Sequence, residues 1–395
     1  MDNGRAKTSL RVGGKSGANE AAKNGVENGV EKTMRELKST NGQAGFTLVE
    51  LMVAMGITLV LVIGTLSVFD SATRANEAGT QLANMNQNLR AGMNLMVRDL
   101  MQTGQGIPTG GIPTPNGGGT APMNRPGQMP PGTLTFPITY TFMPAVIPGA
   151  GLGANDVNTL SVPTDILTIL YADANLPLVS TVAPPNSQWV VLSANGSTMT
   201  VDASNPITGA GVNNPIAHGD IVMITCPQGS RIQTVTDVNG QVVTFANGAG
   251  DDFKFNQRGA ANGSVMDLIA TCGAPQPPTP SPYTAVRLNM FTYYLDTTAR
   301  ARIPRLMRQY NFQRARAVAE VIENLQISFD LVGGVGNQVD QKTVPAGQTE
   351  NQIRKINLFM AGRSDQQFSK NQQYFRNSFE TQVSLRSLSF FDKYN

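Results

Sequence analysis

The segment from Gly45 to Phe69 reads GFTLVELMVAMGITLVLVIGTLSVF. Nineteen residues without a charge lie between Glu50 and Asp70. As an α-helix that rises about 1.5 Å per residue, they cover roughly 28 Å, close to the ~30 Å hydrocarbon core of a bilayer. The segment therefore predicts a membrane-spanning helix. Glu50 stands out because a carboxylate within such a run costs about 2.5–3.5 kcal/mol on insertion scales and usually serves a function.

The residues GFTLVE at 45–50, followed by this apolar run, resemble the class III signal of type IV prepilins and type II secretion pseudopilins. In that family a membrane peptidase cuts after the glycine and methylates the new N-terminal phenylalanine. The glutamate at the fifth mature position helps subunits to enter the growing filament. The resemblance implies cleavage between Gly45 and Phe46, methylation of Phe46, and a role for Glu50 as the assembly carboxylate.

Simple electrostatics makes this role of Glu50 reasonable. Cleavage creates an α-amino group whose pKa is near 8, so it is positive at neutral pH. A neighbouring subunit, shifted along a filament axis, could place its amine against Glu50 and so pair two charges that are each costly alone in an apolar core. The alternative is an ordinary signal anchor in which Glu50 reaches the membrane interface.

The distribution of charge separates a basic leader from a neutral remainder. The leader, residues 1–45, has eight Lys/Arg and five Asp/Glu, whereas the 350 residues from Phe46 onward have 22 of each. Its composition is that of a disordered segment, and it is expected to be removed. Basic residues before a spanning helix favour a cytoplasmic N-terminus and an exported remainder. Because the mature chain is neutral, nucleic acid is not expected as a partner.

We expect an α+β fold, in which a long N-terminal pilin-like α-helix with a transmembrane first half packs on an antiparallel β-rich globular head. Residues 46–103 form the helix and residues 133–395 the head. Between them, residues 104–132 contain 16 Gly and Pro among 29 residues, which predicts a surface loop or linker without a binding role.

The second half of the helix has an apolar stripe at spacings of three and four. The stripe consists of Leu82, Met85, Leu89, Met93, Met96 and Leu100. Bends are expected at Gly64, Gly79 and Gly92.

β-Branched and aromatic residues recur through the rest of the chain. They predict strands at Leu134–Phe142, Ile166–Tyr171, Trp189–Leu192, Met199–Val201, Asp220–Thr225, Ile232–Val238, Gln241–Phe245, Val286–Leu295, Leu306–Tyr310, Leu325–Leu331, Ile353–Ala361 and Phe379–Leu388. The sequence Asn239-Gly240 predicts a tight hairpin turn, because it tolerates positive φ angles. Arg314 to Asn324 predicts a short helix.

The order of several weak motifs resembles the PilW-type minor pilins and the related J-type pseudopilins. These motifs are NLRAGMNLMVRDL (88–100), DILTILY (165–171), GDIVMIT (219–225), YYLD (293–296), IPRLMR (303–308), VAEVIENLQISF (318–329), IRKINLFM (353–360) and FETQVSLR (379–386). The resemblance implies a minor pilin of the inner membrane, single-pass with its head in the periplasm, which then joins the pilus at or near its tip. Its implied partners are the prepilin peptidase, other minor and major pilins, the inner-membrane assembly platform and membrane lipid. Alternatives are a type II secretion pseudopilin, and a tip adhesin or DNA-uptake subunit.

No residue pattern indicates an enzyme, a cofactor or a metal site. The single histidine, His218, is interpreted as a turn residue, and no nucleophile elbow accompanies it. The glycines of GAGLGA (149–154) indicate a loop, since no helical pattern follows them. Asp251 and Asp252 lie in a Gly-rich stretch that matches no calcium loop, and a solvated turn is favoured.

Two further features leave alternatives open. Cys226 and Cys272 could form one disulfide in an oxidising compartment, or remain two separate buried thiols. Between Arg300 and Arg316 there are six arginines and no acidic residue. Neighbouring arginines on a strand point to opposite sides, so a solvated or subunit-contact face is favoured over DNA binding.

Overall fold

The computed structural model describes residues 45–115, 121–127, 134–138, 140–156, 162–177, 190–201, 206–209, 212, 215–273, 282–297, 303–333 and 338–389. The leader 1–44, Trp189, Arg300 and Arg302 lie outside the described residues, as do parts of the Gly/Pro-rich segment. The chain forms two compact units, and the boundary between them lies after Ser71.

Helix α1 spans Leu48–Gln102 and is continuous through its glycines. By length and composition it can cross a membrane, with a mean hydropathy of 2.4 over its most apolar window. In the first unit, residues 48–71 of the helix are exposed along their whole length. A membrane-spanning first half, as the sequence predicts, requires this distribution, since lipid rather than protein covers the apolar surface.

The second unit contains seventeen strands among the described residues, and every pairing between them is antiparallel. They are β1 Ile112–Pro113, β2 Phe142–Met143, β3 Val146–Gly149, β4 Ile166–Pro177, β5 Val191–Leu192, β6 Thr198–Thr200, β7 Ile221–Cys226, β8 Gly229–Thr234, β9 Asp237–Asn239, β10 Val242–Thr244, β11 Thr284–Asp296, β12 Arg305–Tyr310, β13 Arg316–Glu320, β14 Ile322–Leu331, β15 Gln338–Gln341, β16 Ile353–Arg363 and β17 Arg376–Ser384. Two short helices, α2 Val265–Cys272 and α3 Arg386–Ser389, and a 3₁₀ turn, Glu350–Gln352, complete this unit. The predicted α+β class is confirmed.

These strands form four sheets. The largest has seven strands in the order β13-β12-β11-β4-β3, with β7 also pairing β11 and β8 pairing β7. A four-stranded sheet, β15-β14-β16-β17, lies with it around the main hydrophobic core, to which the second half of α1 contributes. A second core is built from the sheet β5-β6-β10-β9, helix α2 and side chains of β7. Among the described residues the head therefore has two large hydrophobic cores and one small cluster of Ile166, Tyr294 and Met307, and α1 contributes only to the first core.

The apolar stripe of α1 is buried from Met85 onward. Met85, Leu89, Met93, Met96 and Leu100 are all buried in the main core. Leu82, which the spacing also places on the stripe, is 38% exposed. Helical periodicity identified the face that packs, but the position where the sheets begin to cover it depends on residues far away in the chain.

Gly92 lies where α1 packs closely against the sheets. A Cβ at this position would be 3.0 Å from Leu306 Cδ2 and 3.1 Å from the Cβ of Ala319. At Gly79, on the same helix, a Cβ would meet nothing within 4 Å. Gly92 therefore permits close packing, whereas Gly79 has no packing role.

This contrast predicts opposite effects for the same substitution. Gly92→Leu should lower the free energy of unfolding by about 1–3 kcal/mol, because the added side chain overpacks the core. Gly79→Leu should raise it by up to about 1 kcal/mol through helix propensity. Urea unfolding of both variants in detergent measures the difference. Equal effects at the two positions would contradict the packing role of Gly92.

The predicted helix at Arg314–Asn324 is wrong. Most of this segment forms β13 and the start of β14, with Ala317 opposite Met307 and Ala319 opposite Leu306. Val321, between the two strands, has φ +58°, a left-handed conformation that is rare for a β-branched residue. Here the chain leaves one sheet for another. The alanine-rich helix propensity was overridden by pairing with β12 and burial of Ala319.

Several strand predictions need correction. Leu134–Phe142 contributes only one isolated bridge, between Asn124 and Thr135, and the first residue of β2, in line with the interruption that Pro137 imposes. Ile232–Val238 divides into the ends of β8 and β9, which belong to different sheets. Phe379–Leu388 ends as a strand at Ser384 and continues into α3. The predicted strands that correspond to β4, β7, β10, β11, β12, β14 and β16 are confirmed, with shifts at their ends.

The hairpin at Asn239-Gly240 is confirmed with a shift of one residue. Asn239 pairs with Val242, so the two loop residues are Gly240 and Gln241. Gly240 has φ +59°, which explains why glycine suits this position. Short-range turn chemistry thus located the hairpin, and pairing of β9 with β10 set its register.

Part of the Gly/Pro-rich segment is built into the fold rather than lying on its surface. Arg125 is 2% exposed. Its Nη2 donates to the Ile147 carbonyl at 2.7 Å, and its Nε donates to Thr168 Oγ1 at 3.1 Å. Burial lowers the pKa of Arg125 to about 10. The composition of residues 104–132 predicts a linker, but the Arg125 side chain helps to fix residues 121–127 against β3 and β4.

Candidate functional site

In the N-terminal segment, a solvent-exposed peptide bond precedes a helix whose N-terminus is capped. Gly45, Phe46 and Thr47 precede the helix and are exposed, Phe46 to 86%. Thr47 Oγ1 accepts from the Glu50 N–H at 3.2 Å, and Glu50 Oε2 accepts from the Thr47 N–H at 3.0 Å. This reciprocal pair is a capping box, which satisfies donors that a helix start leaves free. Glu50 therefore has a partner within its own chain, a T-x-x-E signal that the sequence analysis missed.

Among the described residues, no packing contact requires a glycine at position 45. A Cβ at this position would meet nothing within 4 Å. The Gly45–Phe46 bond lies outside the helix, in the exposed and irregular backbone that proteases cut most readily. The structure places exposed, non-helical backbone directly before the apolar helix, with Glu50 in the first turn of that helix.

A buried charged cluster joins the second half of α1 to the seven-stranded sheet. Asp99, 2% exposed, accepts on Oδ2 from Tyr293 Oη and from Arg308 Nε, both at 2.6 Å. Burial, followed by the charge of Asp99, raises the pKa of Tyr293. Burial alone would lower the pKa of Arg308, but the hydrogen bond and charge of Asp99 outweigh it and raise the pKa. Sequence analysis missed this cluster, because 209 residues separate Asp99 from Arg308.

The described members of the arginine series have different environments. Arg305 pairs with Asp296 at 2.8 Å and Arg308 with Asp99. Arg314 and Arg316 are exposed and make no ion pair with any described residue. The series is therefore not one continuous basic face, because half of its described members have a structural partner.

The structure joins Cys226, at the end of β7, to Cys272, at the end of α2, as a disulfide with Cα atoms 6.6 Å apart.

His218 lies in an exposed turn. Asp251 is buried and accepts from the N–H groups of Phe255 and Asn256 at 3.1 and 2.8 Å. Burial raises the pKa of Asp251. Its bonds organise a local turn, and within the described ranges no three His, Cys, Asp or Glu side chains form a metal-site cluster.

Comparison with known families adds one match. The family model described as the prokaryotic N-terminal methylation motif matches residues 40–66. This range contains the Gly45–Phe46 bond, the capping box and most of the uncharged helical run. A search of curated proteins and a search of solved structures gave no match.

Proposed function

We propose that this chain, which carries the N-terminal segment of the type IV prepilin and pseudopilin class, is a PilW-like minor pilin. It is held in the inner membrane by α1 with its head in the periplasm. Prepilin peptidase cuts it after Gly45 and methylates Phe46. It then enters a filament of other minor and major pilins, at or near the tip, through the inner-membrane assembly platform. Its role is structural rather than catalytic.

One observation carries the proposal. Residues 51–69 present an uncharged surface that is exposed on every side, and a single carboxylate, Glu50, stands at its start. An apolar surface of this size needs lipid or other helices to cover it. When a subunit leaves the membrane and enters a filament, helices of other subunits replace lipid around this surface. Glu50 then needs a cation in the new environment, and the amine created by cleavage can supply one.

A second function shares the same support. Type II secretion pseudopilins carry the same kind of N-terminal segment, so the match to the methylation motif supports a pseudopilin equally well. Either assembly role would follow the same processing step. Recovery of the protein in sheared surface pili would favour the pilus, whereas loss of protein secretion without loss of pili on deletion would favour the pseudopilin.

Intact-mass analysis of the protein from cells that contain a prepilin peptidase tests the processing step. We expect a chain that begins at Phe46 and carries one methyl group. Gly45→Val should leave the chain unprocessed, because the added side chain blocks the bond to be cut. Gly56→Val is the matched control, since a Cβ there also meets nothing within 4 Å. A wild-type chain that still begins upstream of Phe46 would overturn the proposal.

A Glu50→Gln variant tests the assembly step separately. Glutamine keeps an oxygen that can accept from the Thr47 N–H, so the helix cap is preserved while the charge is lost. We expect normal cleavage and a large loss of the protein from the filament fraction. Normal recovery of Glu50→Gln in filaments would show that the carboxylate has no assembly role.

A further inference from the structure

An open cleft of about 590 Å³ lies on one face of the seven-stranded sheet beside α1. Alternate residues of adjacent strands line it, as expected for side chains that share one face. Its charged side chains are Asp173, Asp220, Arg287, Arg308, Arg314 and Arg316. Four cations and two carboxylates give the lining a positive balance.

The two ends of the cleft differ in how their charges are matched. At one end Arg287 contacts Asp173 at 2.5 Å and Asp220 at 3.7 Å. Burial raises the pKa of Asp220, although the Ala217 N–H and Arg287 oppose this shift. At this end the positive charge of Arg287 is therefore balanced by neighbouring carboxylates. At the other end lie Arg308, Arg314 and Arg316, and of these only Arg308 contacts the buried Asp99. Arg314 and Arg316 also line a neighbouring cavity with Asp296, whose carboxylate already pairs with Arg305.

Arg308 and Arg316 lie directly opposite each other on β12 and β13. Like charges at such cross-strand positions destabilise a sheet. Arg308 is held in place, because its Nε contacts Asp99 at 2.6 Å and its guanidinium lies 3.5 Å from the centre of the Phe291 ring. The terminal nitrogens of Arg308 and the guanidinium groups of Arg314 and Arg316 make no hydrogen bond or ion pair with any described residue. An anion placed between these arginines would relieve their repulsion.

We propose that this end of the cleft binds the carboxylates of an acidic peptide segment from another protein. Guanidinium groups pair with carboxylates through two parallel hydrogen bonds, and two or three such groups together select for clustered acidic side chains. The cleft volume is in the range of about 300–1,000 Å³ that is typical of binding sites. A nucleic-acid strand fits less well. Its phosphates would continue past the arginines toward Asp173 and Asp220, and the mature chain has no excess positive charge to attract it.

Fluorescence anisotropy with the full-length protein in detergent tests the proposal. The probe is a fluorescein-labelled tetraglutamate peptide, and the matched probe is tetraglutamine. We expect saturable binding of tetraglutamate that weakens with added salt, and no binding of tetraglutamine. The double variant Arg314→Gln/Arg316→Gln should weaken binding by roughly tenfold or more. Lys370→Gln, which removes an exposed cation outside the cleft, should leave binding unchanged.

Thermal unfolding of the unliganded double variant distinguishes a binding role of Arg314 and Arg316 from a structural role. Because the substitution removes a like-charge pair, the Tm should not fall. A lowered Tm together with weaker binding would overturn the proposal, since the arginines would then support the fold. Equal binding of the double variant, or tighter binding of a labelled oligonucleotide than of tetraglutamate, would also overturn it. These outcomes do not depend on whether the N-terminus is processed.

Discussion

Asp99→Asn is expected to lower the free energy of unfolding of the head by about 2–4 kcal/mol. The carboxylate of Asp99 is buried and accepts from both Arg308 and Tyr293 at 2.6 Å. Removal of one member of a buried ion pair leaves the other charge uncompensated, which costs about 3–5 kcal/mol in a dry site. The lower range applies here because the Arg308 side chain is 23% exposed and water can partly solvate it.

Thermal unfolding followed by circular dichroism measures this effect, with an expected decrease in Tm of roughly 5–10 °C. Asp237→Asn is the matched control, since Asp237 lies exposed on β9. The double variant Asp99→Asn/Arg308→Met should be less destabilised than the sum of its single variants, because it leaves no buried charge unpaired. A Tm of Asp99→Asn equal to that of the control would show that the cluster does not hold α1 to the sheet.

Loss of the Cys226–Cys272 disulfide is expected to lower the free energy of unfolding by about 4 kcal/mol. The two cysteines are separated by 46 residues, and closing a loop of this length removes entropy from the unfolded chain. The bond also joins β7 to α2, which both contribute to the second hydrophobic core. The β5-β6-β10-β9 sheet and α2 should therefore become less stable than the rest of the head.

Unfolding of the wild-type protein with and without dithiothreitol, beside the double variant Cys226→Ser/Cys272→Ser, measures this contribution. Reductant should lower the Tm of the wild type to that of the double variant and leave the double variant unchanged. Hydrogen exchange should show the largest loss of protection in α2 and the strands of the second core. A wild-type Tm that does not respond to reductant, with a normal Tm for the double variant, would contradict a stabilising disulfide.

The second unit shows where local reasoning about strands succeeds. β11 was predicted because β-branched and aromatic residues recur along it, and it lies in the centre of its sheet. Such strands are buried on both faces, so their composition is distinctive. Short peripheral strands such as β13 carry no such signal. Their conformation depends on a neighbouring strand, as β13 depends on β12.

The sequence by itself determined the segment from Gly45 to Phe69. The uncharged run, the T-x-x-E cap and the glycine before it act within a few residues of one another, so they can be read from consecutive letters. Only the tertiary structure decided the close approach at Gly92, the burial of Arg125 in a segment with the composition of a linker, and the pairing of Asp99 with Arg308. These contacts join residues that are tens to hundreds of positions apart. Local propensity has no information about them, because the free energy that stabilises them comes from desolvation and packing in the folded core.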